Sequence, residues 1–237
     1  MYKKLKFDLA RNSLRYLIKT FNIKEIYIPY YLCDVIRHSI IQEGCKPIFY
    51  HIDDNFYPVQ DFPKDSYILY PNYFGICGEN VNKLEKLYTK LIVDNAHAFY
   101  LPPQGFACFN AEHKFNPQVQ ASYLYIKSEN NNSKNYISPC PKERIKEFEK
   151  LHEQYRNKNC LNIDLLVIHT LFTHHLFTPH LFTPPFVYPF LASTDEEADE
   201  LADKLTKEGK TIYRYWNNLP KDYNEYKFYR RLVPIPL

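Results

Sequence analysis

Two side chains have the types and spacing to hold and polarise a small molecule: Asp94 and His97. Asp94 closes the apolar run Leu91-Ile-Val-Asp94, and an acid at the carboxyl end of a buried strand lies where open α/β sheets place ligands. Such a carboxylate can hydrogen-bond a protonated ring nitrogen and hold its charge. His97, three residues on, can brace that carboxylate or touch a ring substituent. Each residue also has a plainer role open to it. Asp94 can cap the next segment, and His97 can be a satisfied core histidine.

The elements that must position these residues are legible in the hydrophobic periodicity. Leu14, Leu17, Ile18 and Phe21 recur at helical spacing, and a short strand at 25–29 follows. A helix over 32–41, ending near Gly44, precedes a strand at 47–51. Residues 66–70 read as a short buried strand, and Val81, Leu84, Leu87 and Leu91 mark a helix that runs into Leu91–Asp94. Short strands at 106–109 and 123–126 come next. Apolar, non-alternating strands separated by helices predict an α/β fold with a largely parallel sheet. From Ser128 the texture changes: a polar loop, then an amphipathic helix over 141–155. Three copies of a five-residue unit follow, LFTHH, LFTPH and LFTPP over 171–185. That period suits neither helix nor strand, and proline interrupts the later copies. The histidines in the repeat and just before it (His169, His174, His175, His180) lack accompanying carboxylate or cysteine, so no metal site is expected there. A strand-like PFVYPFLA and a helix capped by Thr194 with Glu197 close the chain. The expected organisation is a large α/β domain over 1–138, a helical linker with the repeat over 139–185, and a small α+β subdomain over 186–237.

Composition narrows the function classes. With 45% hydrophobic residues in 237, a sizeable core is available, and a net charge of +3 with mixed signs gives no nucleic-acid footprint. No apolar run reaches the length of a bilayer span, so no membrane partner is expected. The start MYKKLKFDLA is amphipathic and unlike a secretory signal, and the six cysteines form no C-x-x-C pair. A cytoplasmic enzyme is the expectation. Only five glycines are present, few for a chain whose backbone approaches a phosphate.

Residues 68–99, ILYPNYFGICGENVNKLEKLYTKLIVDNAHAF, resemble the central block of the DegT/StrS-type sugar aminotransferases. Phe74-Gly75 matches the family's aromatic-Gly turn, Leu91–Asp94 its apolar strand, and Asp94 with His97 its signature. RNSLRYLIKTFNIKEIYIPYYLCDVI is similar to the opening helix and strand. PFVYPFLA, the helix after it, and Trp216 through Pro234 resemble the closing subdomain. The resemblance covers most of 7–126 and 186–235 and leaves out the repeat.

That resemblance implies a pyridoxal 5′-phosphate (PLP) enzyme of fold type I, with a mostly parallel sheet flanked by helices and a small C-terminal subdomain. In the family a lysine follows the acid after one more strand, and Lys114, shortly past the segment ending at Phe109, takes the place of this lysine, which carries the cofactor covalently and moves protons. A surface lysine beside an aromatic fits the same residue. Asp94 and His97 take the places that contact the ring. Arg11, Asn12 and Ser13 fall at the family's phosphate-binding helix start, where free backbone N–H groups and the helix dipole favour an anion; a simple helix cap fits the same residues. Tyr31 stands where a ring can stack on the pyridine, although an aromatic there packs into core just as often. Asn110 is a substitute for the customary serine near the lysine. The implied substrates are a keto-sugar nucleotide and an amino donor such as glutamate, and the implied assembly is a homodimer. Departures from the family pattern are Asn116-Pro117-Gln118-Val119-Gln120-Ala121 in place of a Gly-rich turn, a helix start without glycine, and a shorter chain. They keep open an alternative: a relative without turnover, acting as a binding or regulatory protein, or a decayed gene product.

Overall fold

A computed structural model describes residues 1–128, 140–158, 161 and 185–237, which fall in two compact units, Met1–Ser138 and Pro139–Leu237. The histidine repeat lies outside the described residues.

The first unit is built on a seven-stranded sheet with the order β1-β7-β6-β5-β4-β2-β3. Its strands are β1 (Tyr2–Phe7), β2 (Glu25–Pro29), β3 (Lys46–Tyr50), β4 (Ile68–Pro71), β5 (Leu91–Asn95), β6 (Ala107–Asn110) and β7 (Ser122–Lys127). Strands β3, β2, β4, β5 and β6 run parallel, whereas β7 is antiparallel to β6 and β1 to β7. The helices of this unit are α1 (Ala10–Thr20), α2 (Asp34–Gln42) and α3 (Gly78–Leu87). Burial explains the composition of the strands. All residues of β4, β5 and β6 are buried, as expected where both faces of a parallel sheet are covered. Leu14, Leu17 and Ile18 of α1 and Ile36 and Ile40 of α2 share one core with Ile26, Ile28, Leu69, Ile92, Ala107, Phe109 and Leu124. These strand residues therefore define the α1/α2 face of the sheet. On the other face Tyr70 donates its hydroxyl to the Phe56 carbonyl at 2.8 Å and receives the side-chain amide of Asn80 from α3 at 3.0 Å.

Strand β1 was not foreseen, because Lys3, Lys4 and Lys6 mask its alternation. They are exposed on a sheet edge, where charge discourages pairing with another chain. Gly105 enters β6 at φ +75°, and a Cβ there would meet the Leu91 carbonyl oxygen at 2.6 Å. That oxygen accepts the Phe106 N–H at 2.8 Å, so only glycine lets the chain approach this closely.

The second unit pairs β8 (Val187–Leu191) with β9 (Leu232–Pro236) antiparallel, beside α4 (Lys142–Tyr155), α5 (Asp195–Lys207) and α6 (Tyr226–Arg231). Prolines 189 and 234 face each other in this ribbon, which tolerates them because neither strand has a second neighbour among the described residues. The expected cap of α5 forms: Thr194 Oγ1 accepts the Glu197 N–H at 3.1 Å, and Glu197 reaches back to the Ser193 N–H at 2.7 Å. Asp195, in the first turn, is held by Arg230 and Arg231 at 3.0 Å each. The architecture is thus mixed α/β, with a central, mostly parallel sheet flanked by helices and a small C-terminal β-sheet unit. No described helix is long and apolar enough to cross a membrane.

Candidate active site

The parallel strands end together at Pro29, Tyr50, Pro71, Asn95 and Asn110, and the chemistry-bearing residues collect at these ends. Asp94 pairs with Phe109 across the sheet and alternates with Val93, so it lies on the α1/α2 face with Ile92. Its Oδ1 accepts the Ala96 N–H at 2.9 Å in a tight Asx turn. Asp94 is buried. Burial pushes its carboxyl up to about 6, against the lowering effects of the Ala96 N–H and the Lys114 charge.

Lys114 ends a short 3-10 turn, Glu112–Lys114, immediately after β6. The turn is fixed by Glu112 N–H donating to Ala121 O and by Asn116 N–H donating to Glu112 O, both at 2.8 Å. The next residue, Phe115, packs on Phe99 (ring centroids 5.8 Å) and edge-on to Tyr100 (5.2 Å), both in the segment following Asp94. Those aromatic contacts bring the lysine turn to the acid. Burial lowers the Lys114 ammonium, while Asp94, and then Cys33 at the N-cap position of α2, favour its charge. His97 is buried as well, and burial followed by the Lys114 charge drives it well below its ordinary value, into the neutral form. Its ring stacks on Phe74 at 5.6 Å and 25°. Asp94, Lys114 and His97 thus form one electrostatically coupled group.

The start of α1 reaches the same end of the sheet, because β1 runs parallel to β6. Its residues divide between two surroundings. Ser13 is buried; its Oγ lies 2.9 Å from Ser122 Oγ, which donates to Asn110 O at 2.6 Å. Asn110 Oδ1 in turn accepts the Tyr123 N–H at 3.0 Å, so Ser13 and Asn110 belong to one buried chain of hydrogen bonds under the helix start. Arg11 is exposed. Asn12 donates its amide to Asp8 Oδ1 at 2.7 Å, and the Leu9 N–H donates to the same oxygen at 2.8 Å. The Asn12 amide, with help from the Leu9 N–H, holds Asp8 below the usual carboxylate range. A carboxylate therefore stands at the helix end where an anion site was expected. Tyr31 is enclosed, its ring stacked on Tyr73 at 5.7 Å and 15°, and its backbone oxygen accepts the Tyr73 hydroxyl at 2.9 Å. It is part of the aromatic core.

Sequence reasoning passed over three neighbours of this site. Asp8 had a legible signal, an acid four residues before Asn12 at a helix start. Cys33 had none, since only the fold brings the α2 cap to Lys114. Phe74 was noted as part of a turn, but its backbone at φ +54° was not foreseeable in a bulky residue. That conformation costs about 1–2 kcal/mol.

Solved structures share this arrangement of elements. The chain aligns with Spr1654 of Streptococcus pneumoniae, assigned as a sugar aminotransferase and seen in its PLP form, at a TM-score of 0.63 and 14% identity, over 99% of this chain and 82% of that one. PseC of Helicobacter pylori, an aminotransferase of pseudoaminic acid biosynthesis, gives 0.64 and 13%, over 98% and 81%. A DegT DnrJ EryC1 StrS aminotransferase from Brucella abortus gives 0.64 and 10%, over 99% and 80%. The fold is PLP-dependent transferase fold type I. No family model matches the sequence, and no curated protein matches it. At such identities the likeness establishes architecture, and the chemistry must be argued from the side chains.

Proposed function

We propose that the chain binds PLP through Lys114 and Asp94 and transfers an amino group from a donor such as glutamate to a keto-sugar nucleotide, as a cytoplasmic homodimer serving surface-polysaccharide or glycan synthesis. The observation that carries this reading is the Asp94–Lys114 pair at the strand ends, the acid buried and the lysine half-buried and partly desolvated. A desolvated carboxylate with a single backbone donor is costly by itself and suits a cationic ring nitrogen. A desolvated amine suits a carbonyl carbon. When bound, PLP supplies the electron sink that lets the bond at the substrate amine carbon release its proton.

The chain's own residues have these roles. Asp94 accepts the ring N–H and stabilises its charge. Lys114 Nζ would hold the cofactor and, when free, would take the proton from the substrate carbon and return it. Its lowered affinity for protons makes the amine easier to deprotonate than an ordinary lysine. His97, held neutral, serves as a hydrogen-bonding partner without adding charge. At the phosphate end the fit is poorer: Arg11 offers a cation, but Asp8 opposes an anion. Replacing Asp8 by Asn is therefore expected to tighten PLP binding roughly threefold to fivefold at low ionic strength, fading as salt screens the charge. An absorbance titration with PLP measures this.

Asp8 is also the observation that favours the second reading, a relative that keeps the fold and binds without turnover. Incubating the PLP-loaded chain with glutamate separates the two. Release of 2-oxoglutarate in proportion to bound cofactor supports transamination. Retained PLP with no 2-oxo acid formed from any amino donor tried leaves the binding protein.

A further inference from the structure

The start of α1 lies at the same end of the sheet as Asp94 and Lys114, yet the chain itself takes up its donors. We infer that Asp8 and the Ser13–Ser122 bridge close this helix start to phosphate, so that the site takes a carbonyl ligand by its ring and aldehyde and holds pyridoxal as tightly as PLP. The second half of this inference rests on the proposed role of Lys114; the first half does not.

Asp8 fills the place that a bound anion would take. Its Oδ1 accepts the Leu9 N–H at 2.8 Å and the Asn12 side-chain amide at 2.7 Å. The residue is exposed, and its charge is favoured first by the Asn12 amide and last by the neighbouring Arg11. Part of the pull of Arg11 on any other anion is therefore spent on Asp8. Two backbone donors of the first turn are engaged as well: the N–H groups of Asn12 and Ser13 both donate to Leu9 O, at 3.0 and 3.3 Å. The Ala10 and Arg11 N–H groups have no partner among the described residues. A phosphate bound to them would stand beside a full negative charge.

The hydroxyl of the helix start is committed too. Ser122 Oγ lies 2.6 Å from Asn110 O, and a carbonyl oxygen only accepts. A hydroxyl carries one proton, so Ser122 has none left to give Ser13. Ser13 is therefore the donor in the 2.9 Å contact between the two side chains. That contact uses the single proton with which Ser13 could hold a phosphate oxygen, and the residue is fully enclosed. A close approach of backbone cannot replace it in the two segments that flank the lysine turn and the helix start. None of the five glycines falls within residues 8–13 or 110–122, where a Gly-rich turn would let N–H groups close on a phosphate. The carboxylate, the spent hydroxyl and the missing glycines act on the phosphate end alone and leave the acid and the lysine available to a ring and an aldehyde.

Two measurements on the full chain test the two halves. In the first, inorganic phosphate is added without cofactor at constant ionic strength, and the backbone ¹⁵N–¹H signals of residues 9–13 are followed. No saturable shift is expected. Saturable shifts of the Ala10 and Arg11 amides would reveal an open anion seat and overturn the inference. In the second, PLP and pyridoxal are titrated separately, and binding is read as the part of the visible absorption band that Lys114→Ala loses. A phosphate held at a helix start by charge-assisted hydrogen bonds would favour PLP by roughly a hundredfold, whereas here the two affinities should agree within about twofold. A preference of the unsubstituted chain for PLP of about tenfold or more overturns the inference. Asp8→Asn keeps the oxygen that accepts from Leu9 and Asn12 but loses its charge, and circular dichroism checks its fold. It should bring out a preference for PLP of roughly threefold to fivefold at low ionic strength. Equal binding of both ligands by the folded variant would remove Asp8 as the cause and count against the inference. If neither ligand gives the band, the function proposed above falls, and the phosphate titration alone decides whether the start of α1 is closed.

Discussion

Lys114→Ala is expected to abolish the visible absorption band that distinguishes enzyme-bound from free PLP, and to lower amino transfer by at least roughly a thousandfold. No described lysine other than Lys114 is paired electrostatically with Asp94, so its amine has no evident substitute. Lys114→Arg should fail equally, since guanidinium keeps its proton and does not attack a carbonyl carbon. The same substitution has a signature without cofactor. The Lys114 charge lowers both Asp94 and His97, so its removal should move the Asp94 titration above about 6 and make His97 easier to protonate. NMR titration of the two side chains checks both directions. A spectrum identical to free PLP in the unsubstituted chain would remove the cofactor from the proposal and leave a fold-only relative.

Asp94→Asn is expected to stabilise the cofactor-free chain at pH 8 while costing it the cofactor. The carboxyl is raised from 3.8 to about 6 in the folded state. The folded chain therefore holds this proton more tightly than the unfolded chain. Its contribution to stability is fully present below about pH 4 and is lost as pH rises through about 6. At pH 8 the ionised, buried carboxylate should cost on the order of 2–3 kcal/mol relative to a neutral side chain of the same shape. Urea unfolding of both proteins between pH 4 and 8 measures it: the Asn variant should lack this dependence and be the more stable of the two at the alkaline end. An amide cannot hold a protonated ring nitrogen as a carboxylate does, so PLP affinity should fall in the same variant. A group that destabilises the empty protein and is needed by the filled one is what a binding site looks like energetically. An Asp94→Asn protein no more stable than its parent would make Asp94 an ordinary structural acid.

Much of the first unit was legible because its signals are local. The strand at 25–29 was read with its observed bounds, and the remaining parallel strands and helices fell within a few residues of theirs, since uninterrupted apolar runs and 3.6-residue spacing survive without tertiary information. Strands β1 and β9 were missed for opposite reasons. Lysines hide the first, prolines the second, and each is stabilised by a partner far away in sequence. Helix α2 begins at Asp34 and not Leu32, because Leu32 is drawn into the core and Cys33 becomes the cap.

The sequence alone determined the order of the parallel strands and the helices between them, and it put forward the acid, the histidine and the lysine as candidates, because apolar runs and residue spacing are properties of the chain. Only the tertiary structure decided what surrounds them. It put the Cys33 thiol beside Lys114, turned Ser13 and Tyr31 into the interior, set the Asp8 carboxylate at the start of α1, and laid Phe74 on His97. The physical reason is that burial and charge proximity depend on contacts between residues distant along the chain. The raised Asp94 and the lowered Lys114 result from desolvation, which their mutual attraction only partly offsets, and neither effect exists until β5 and the turn after β6 are side by side.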